Sequence, residues 1–301
     1  MIIVTYRKLF FALTGVIVGV SLISLAVFHL HLGIDFTGGT LVQVEYAQAR
    51  PSASALQASL NTNGFSNYSL RESGTNGYAL RAQAITNDER GNLVSTFSLN
   101  NTYPATIASL NEIGPTIGVE LRNKSILALT LVLLCILLFI AFAFRKVSKP
   151  VSSWVYGLIA LVTLVHDVIV PVGFYSFLGH VNGAQVDTLF VTAVLTVLGF
   201  SIHDTIVVFD RVRENLSINQ KQNRKEDFAI TAGHALNQTF VRSINTSLTV
   251  ILTLSALYLL GPASTKDFSL TLLVGIIAGT YSSIFLATPL LVAIEKRRQS
   301  K

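Results

Sequence analysis

Gly199-Phe-Ser-Ile-His-Asp-Thr-Ile-Val-Val-Phe-Asp-Arg-Val-Arg-Glu-Asn215 decides how the chain is read, because an apolar run of membrane-crossing character carries His203 and Asp204 inside it. An ionised Asp in hydrocarbon costs at least ~2.5–3.5 kcal/mol, so such residues face a bundle interior and mark ion or substrate paths. Asp204 is therefore the first functional candidate. Arg211 and Arg213 open a basic loop, and at ~1.5 Å per residue they put Asp204 about 10 Å inside that edge. Asp210 adjoins the loop and reads as a solvated charge at a helix end.

Composition agrees. The 301 residues are 51% hydrophobic and 13% charged, with a mean hydropathy of +0.57, the balance of a polytopic membrane protein. The net charge of +6 sits in short clusters beside apolar runs, the positive-inside pattern, so no nucleic-acid partner is expected. Cys135 is the one cysteine and lies in an apolar run, which excludes an intrachain disulfide and a cysteine-rich metal site.

Outward from the central run, which covers about 187–209, five more apolar stretches are long enough to span: about 9–30, 125–144, 151–178, 242–260 and 268–294. Arg7-Lys8, Arg145-Lys146-Lys149, the loop at 211–225 and Lys296-Arg297-Arg298 fall on one face, while the opposite short loops carry only Lys266. This predicts an α-helical membrane protein with six transmembrane helices and both termini in the cytoplasm. No A-x-A-like site follows the first run, so it reads as an anchor. Residues 227–237 have an apolar stripe too polar to cross and predict an interfacial helix.

Between the first two spans the composition turns polar. Residues 40–46 alternate like a strand, 52–63 have helical spacing, 68–71 and 78–83 flank a turn-rich connection, 87–97 form a second helix and 105–111 a last strand. That β-α-β-β-α-β order predicts a small α+β ferredoxin-like extracytoplasmic domain. The domain division is thus 1–30, a first transmembrane helix; 31–124, the outer domain; and 125–301, a five-helix membrane domain with a cytoplasmic loop at 211–226 and a basic tail.

Further polar residues lie in the spans. Asp167, beside His166, is near the middle of the third. In the fifth, Arg242, Asn245, Thr246, Thr249 and Thr253 recur at helical intervals as one stripe, read evenly as helix–helix hydrogen bonding or a hydrated path. Arg242 and Asp204 sit at similar depth on successive spans, so an ion pair within the bundle is predicted. Gly275, Gly279 and Ser283 form a small-xxx-small face for close helix packing. Gly38-Gly39 and Gly114-Pro115 bracket the outer domain at its junctions with the membrane.

Gly33-Ile-Asp-Phe-Thr-Gly-Gly39, Ile113-Gly-Pro-Thr-Ile-Gly-Val-Glu-Leu121, Val207-Val-Phe-Asp-Arg-Val-Arg-Glu-Asn215, Asn237-Gln-Thr-Phe-Val-Arg-Ser-Ile-Asn-Thr-Ser247 and Gly279-Thr-Tyr-Ser-Ser283 occur in one order across nearly the whole chain. Together they resemble the SecF branch of the SecD/SecF family of protein-export membrane proteins, within the RND superfamily. The resemblance implies one half of an RND-type transporter. That half would join SecD beside the SecYEG channel, with YajC as a further partner, in the bacterial cytoplasmic membrane. It implies export of unfolded polypeptide, driven by the transport of protons or sodium ions and with no resident cofactor or metal. By motif match, the ion relay falls on Asp204 and Arg242, with a further Asp supplied by SecD; His203, Asp167, Asn245 and Thr249 are the candidates for its support among the polar residues of the spans, and Gly33, Asp35, Gly38, Gly39, Gly114 and Pro115 mark the junctions of the outer domain with the membrane. His203 departs from the pattern, since the family more often carries Asn there.

Three other classes compete. A small-molecule RND-type exporter half would carry a much larger outer region. An intramembrane hydrolase would use His166-Asp167 and His203-Asp204 as metal ligands. A membrane scaffold would use the polar stripe for packing alone. The topology has a direct test. With Cys135 replaced by Ser, a cysteine at Asn76 is expected to react with an impermeant thiol reagent added outside, and one at Asn219 is expected to stay unlabelled; the reverse pattern would reject the orientation.

Overall fold

The computed structural model describes residues 2–66, 68–83, 85–143 and 151–299. Phe144, where the second apolar run ends, and the cluster Arg145-Lys146-Lys149 lie outside them. In order the elements are α1 (Ile2–Thr5), α2 (Arg7–Phe28), α3 (Ile34–Thr37), β1 (Gly39–Tyr46), α4 (Ala53–Thr62), β2 (Tyr68–Ser73), β3 (Gly77–Ala82), α5 (Asn87–Phe97), β4 (Ala105–Ile113), α6 (Pro115–Ala143), α7 (Ser153–Val181), α8 (Thr188–Lys221), α9 (Phe228–Leu260), α10 (Ala263–Ser282), a π-helical turn (Ser283–Ala287) and α11 (Thr288–Gln299). They form two compact units. One joins residues 1–31, 127–184 and 189–301; the other joins 32–126 with 185–188.

The second unit is a four-stranded antiparallel sheet in the order β2-β3-β1-β4, which is the ferredoxin-like arrangement. Alternation explains its core: Val42, Val44 and Tyr46 of β1 and Tyr78 and Leu80 of β3 point to one face, where Leu56 and Leu60 of α4 and Leu93 and Phe97 of α5 cover them. Each fully buried Leu here is worth roughly 1.5–3 kcal/mol. Both helices start on side-chain caps. Ser52 accepts from the Ala55 amide, and Thr86 and Glu89 form a reciprocal capping box. Tyr46 satisfies its buried hydroxyl by donating to the Phe97 carbonyl at 3.0 Å, and burial pushes that hydroxyl well above the ordinary tyrosine range.

The junction residues meet in this unit. Gly38 has φ +77°, and a Cβ there would lie 2.7 Å from Pro115 Cα, so the turn before β1 closes against the start of α6. Pro115 suits the first helical position, where its missing N–H leaves no partner wanting. Hence α6 begins ten residues before the apolar run at 125 that marked it in sequence. Gly33 donates its N–H to the Val186 carbonyl at 2.8 Å. Asp35 accepts from the Thr188 amide at 2.9 Å and the Thr188 hydroxyl at 2.6 Å, which makes it a cap for the first residue of α8.

Among the described residues six helices are long and apolar enough to cross a bilayer, and the membrane unit draws on them. Within it α2 lies along α7, tied by Ser24 Oγ to the Gly173 carbonyl (2.8 Å) and Ser176 Oγ to the His29 carbonyl (2.7 Å). Two expectations change. The basic stretch after Phe209 does not leave the helix: α8 runs on to Lys221, and of the anticipated loop at 211–226 only residues 222–226 lie outside a helix. The segment at 227–237 is no separate interfacial helix but the first turns of α9, because Asp227 caps it through the Ala229 amide (2.7 Å) and no proline breaks it before the span. Glu226 accepts from Asn219 (2.9 Å) and Thr231 (2.6 Å), and these donors hold its carboxyl below the usual carboxylate range. The π-helical turn stands just ahead of Pro289, whose ring and missing N–H would disrupt a regular α-helical turn.

Gly38 and Gly114 separate strain from composition. Alanine at Gly38 meets both a positive φ and Pro115, whereas a Cβ at Gly114 meets nothing within 4 Å. Gly38→Ala is expected to cost about 1–3 kcal/mol, read as faster hydrogen exchange at the β1 amides of the full chain, with Gly114→Ala unchanged. Equal exchange in the two variants would refute the strained junction.

Candidate functional site

Two His-Asp dipeptides lie inside the membrane unit, and the helices around them treat them differently. On α7, Asp167 is fully buried. Ser201 of α8 and Ser282 of α10 both donate to its Oδ2, the latter at 2.8 Å, and His166 Nδ1 lies 2.8 Å from Oδ1. Pro171, one turn further along α7, has no N–H to offer the Asp167 carbonyl. Next to Ser282, Tyr281 donates to the Phe10 carbonyl (3.0 Å) and sits 3.1 Å from Thr14 Oγ1, so the same turn of α10 also reaches α2. The Asp167 carboxylate is therefore saturated by groups from three helices.

Asp204 stands one turn beyond Ser201 on α8 and is 3% exposed. Its Oδ1 is 3.9 Å from His203 Nδ1, on a side chain that is itself 61% exposed. Its Oδ2 is buried and has no hydrogen-bond partner among the described residues. From α9, the Ser247 hydroxyl and the Arg242 charge act on this carboxylate. Arg242 is not in direct contact: among the described residues the predicted pair does not close to within 4.0 Å. Ser247 Oγ lies 2.7 Å from Thr280 Oγ1 of α10. Polar groups thus run from Asp204 through Ser247 to Thr280, and from Ser282 through Asp167 back to Ser201, both paths joining α8 to α10. Thr205 Oγ1 on α8 and Ser243 Oγ on α9 are also buried without a partner among the described residues. A buried carboxylate with one oxygen free is costly as an anion, so it readily gains by binding a proton or a cation.

The polar stripe of α9 lies on one exposed side of the helix. Arg242, Asn245, Thr246, Thr249 and Thr253 face away from this chain's own helices, and the three threonine hydroxyls bond back to the carbonyls four residues earlier at 2.8–3.0 Å. Ser243 and Ser247, one position beyond stripe residues, face inward. Sequence reasoning missed these serines and Ser201; the available signals were Ser201 three residues before Asp204 and Ser243 four before Ser247, each one helical turn apart. Asp210 is exposed, 3.4 Å from Arg213. Gly275 and Gly279 bring α10 against α8: added Cβ atoms would stand 2.2 Å from Val197 Cγ2 and 2.9 Å from Ser201 Cβ. Ser283 opens the π-helical turn and donates to the Thr280 carbonyl at 3.1 Å. Among the described residues no group of three or more His, Cys, Asp or Glu side chains converges as metal ligands.

Residues 94–297 match the family described as protein export membrane protein SecD/SecF, C-terminal, and residues 23–49 match the SecD/SecF GG motif. The protein translocase subunit SecF of Thermobaculum terrenum is 42% identical over 309 aligned positions, covering 98% of this chain and 94% of that protein. Protein translocase subunit SecDF of Thermus thermophilus is 33% identical, covering 89% of this chain but only 35% of that protein. The crystal structure of SecDF, a translocon-associated membrane protein from that organism, aligns with a TM-score of 0.83 at 30% identity over 98% of this chain, which spans 38% of the solved one.

The α8–α10 contact is what lets Ser201 and Ser282 converge on Asp167, and it is testable at one atom. Val197 is fully buried and stiff at its branched Cβ, so Gly275→Ala is expected to destabilise the chain by about 1–3 kcal/mol through overpacking. Gly199→Ala, where a Cβ meets nothing within 4 Å, should leave the thermal transition in detergent unchanged or slightly raised. Equal transitions for both variants would show that the contact is loose.

Proposed function

Because the chain belongs to the SecD/SecF family of protein-export membrane proteins and is a multi-pass bacterial membrane protein, we propose that it works as the SecF half of an ion-driven protein-export machine, with Asp204 as the group that takes up and releases the coupling ion. The observation that carries this is the contrast between the two buried aspartates. Asp167 accepts from Ser201 and Ser282 and lies against His166, whereas Asp204 keeps a buried oxygen unmet among the described residues. A saturated carboxylate holds helices together; an unsaturated one changes its energy most when a proton arrives.

SecD is the partner expected to complete the relay, since SecDF of Thermus thermophilus carries both names in one chain. The outward stripe of Arg242, Asn245 and Thr249 is the natural face for it. SecYEG and YajC are inferred as the wider assembly, and unfolded polypeptide as the cargo. The chain is a transport component: no catalytic residue is assigned, and the proton or sodium ion is cargo rather than a resident cofactor. With both termini in the cytoplasm, each proton moving inward supplies ~2.3 kcal/mol per 100 mV. Neutralising Asp204 would remove the charge that Arg242 balances, letting α8 and α9 shift and return.

In inverted membrane vesicles containing the full export complex, Asp204→Asn and Arg242→Ala are expected to lose the stimulation of late translocation by an imposed ion gradient, down to the level seen without one. ATP-driven initiation should persist, and Asp210→Asn should retain stimulation. Full stimulation in a normally assembled Asp204→Asn complex would remove this residue from the mechanism.

A further inference from the structure

Where α2 begins, a cavity of about 550 Å³ opens between the N-terminal segment, the first turn of α9 and α11. Val4, Leu9 and Ala229 give it an apolar floor, and Arg7, Lys8 and Lys296 give it three cationic walls. Among the described residues none of these cations has a carboxylate within 4.0 Å. Glu295 does not serve them. It is 4% exposed and its charge is felt by Tyr156 in the core. The start of α2 adds to the positive field, since Tyr6 gives its first turn no side-chain cap and that turn holds no acidic residue.

The depth and the surface below the cavity narrow the ligand. Arg7 and Lys296 lie at the ends of two membrane-spanning helices, Arg7–Phe28 and Thr265–Arg298, which is the level of lipid headgroups. Tyr6, an exposed aromatic with a polar tip, suits the same level. From the cavity an exposed apolar stripe descends α2 through Leu9, Leu13, Val16 and Val20. Val16 and Val20 also border an apolar groove of about 560 Å³ between α2 and α7. From residue 9 to residue 20 the helix rises about 16 Å, close to half of a hydrocarbon core of about 30 Å.

We propose that this cavity binds one anionic glycerophospholipid, its phosphate held by Arg7, Lys8 and Lys296 and one acyl chain laid along the α2 stripe toward the groove. Cationic pockets between helices at a membrane surface select anionic headgroups, each Lys or Arg contributing on the order of a fivefold gain in affinity. A soluble phosphate would use the cations but leave the stripe idle. An acidic protein surface would use the cations and have no need of either apolar feature.

The test is native mass spectrometry of the detergent-purified full chain, titrated with phosphatidylglycerol, with phosphatidylcholine, and with phosphatidylglycerol in the presence of excess glycerol phosphate. Phosphatidylglycerol is expected to be retained over phosphatidylcholine and to resist glycerol phosphate. The preference should fall about 25-fold in Lys8→Gln/Lys296→Gln, at fivefold per charge. Arg122→Gln/Lys124→Gln removes the same charge elsewhere and should keep it, and Arg7→Lys should keep it with an unchanged thermal transition. Equal binding of the two lipids, equal loss in the control pair, or full displacement by glycerol phosphate would each overturn the site. So would retention in the Lys8/Lys296 variant.

Discussion

A carboxylate buried among helices has to find its hydrogen bonds inside the protein, because hydrocarbon offers none. Asp167 finds them only if Ser201 of α8 and Ser282 of α10 reach one oxygen from two sides. That demands an α8–α10 approach that a methyl group at Gly275 would obstruct, so the packing of small residues and the solvation of a charge are one requirement. Asp204, one turn beyond Ser201 on α8, has a buried oxygen with no hydrogen-bond partner among the described residues. Its support comes first from His203 beside it on α8 and then, from α9, through Ser247 and the more distant Arg242. A carboxylate held by three hydrogen bonds and one with an oxygen unmet among the described residues thus sit on neighbouring helices.

The outer unit obeys a different economy. Its sheet satisfies its own backbone and buries two tyrosines with their hydroxyls on carbonyls, Tyr46 on Phe97 and Tyr78 on Pro51. The turn that leads into β1 has no freedom to relax, since Gly38 is pressed on Pro115 and followed by Gly39, whose Cβ would stand 2.6 Å from the Ala82 carbonyl. Residues separated by most of the unit in sequence are therefore held at one point, where chain entry and exit are locked together.

Much of this was legible in the residues. Period-two alternation at 40–46 and helical spacing at 52–63 located β1 and α4, and hydropathy located all six spans, because both signals are local. The resemblance also carried Asp35 as a junction residue, but not its bond to Thr188, which joins positions far apart in the chain. The polar stripe was read as one surface and its five residues are all exposed, whereas the buried Ser243 and Ser247 lie outside it: periodicity orders the positions on a helix and says nothing about which side has a neighbour. The helical extension to Lys221 was hidden for another reason. Charged residues such as Arg211 and Lys221 resemble a loop by hydropathy although they are good helix formers. The small-residue face of α10 was visible, but its partner, Val197, was not.

The threonines of α9 bear on how such a chain reaches its final state. Thr246, Thr249 and Thr253 turn their hydroxyls back onto their own helix, so on an outward face they ask little of whatever surrounds them. Arg242 and Asn245 are the side chains there that want a polar neighbour, and both stand near the middle of α9. The solitary chain is thereby tolerable to lipid without being indifferent to a partner. On such a face lipid would leave the three threonine hydroxyls satisfied, and only the two longer polar side chains would gain from a second protein surface.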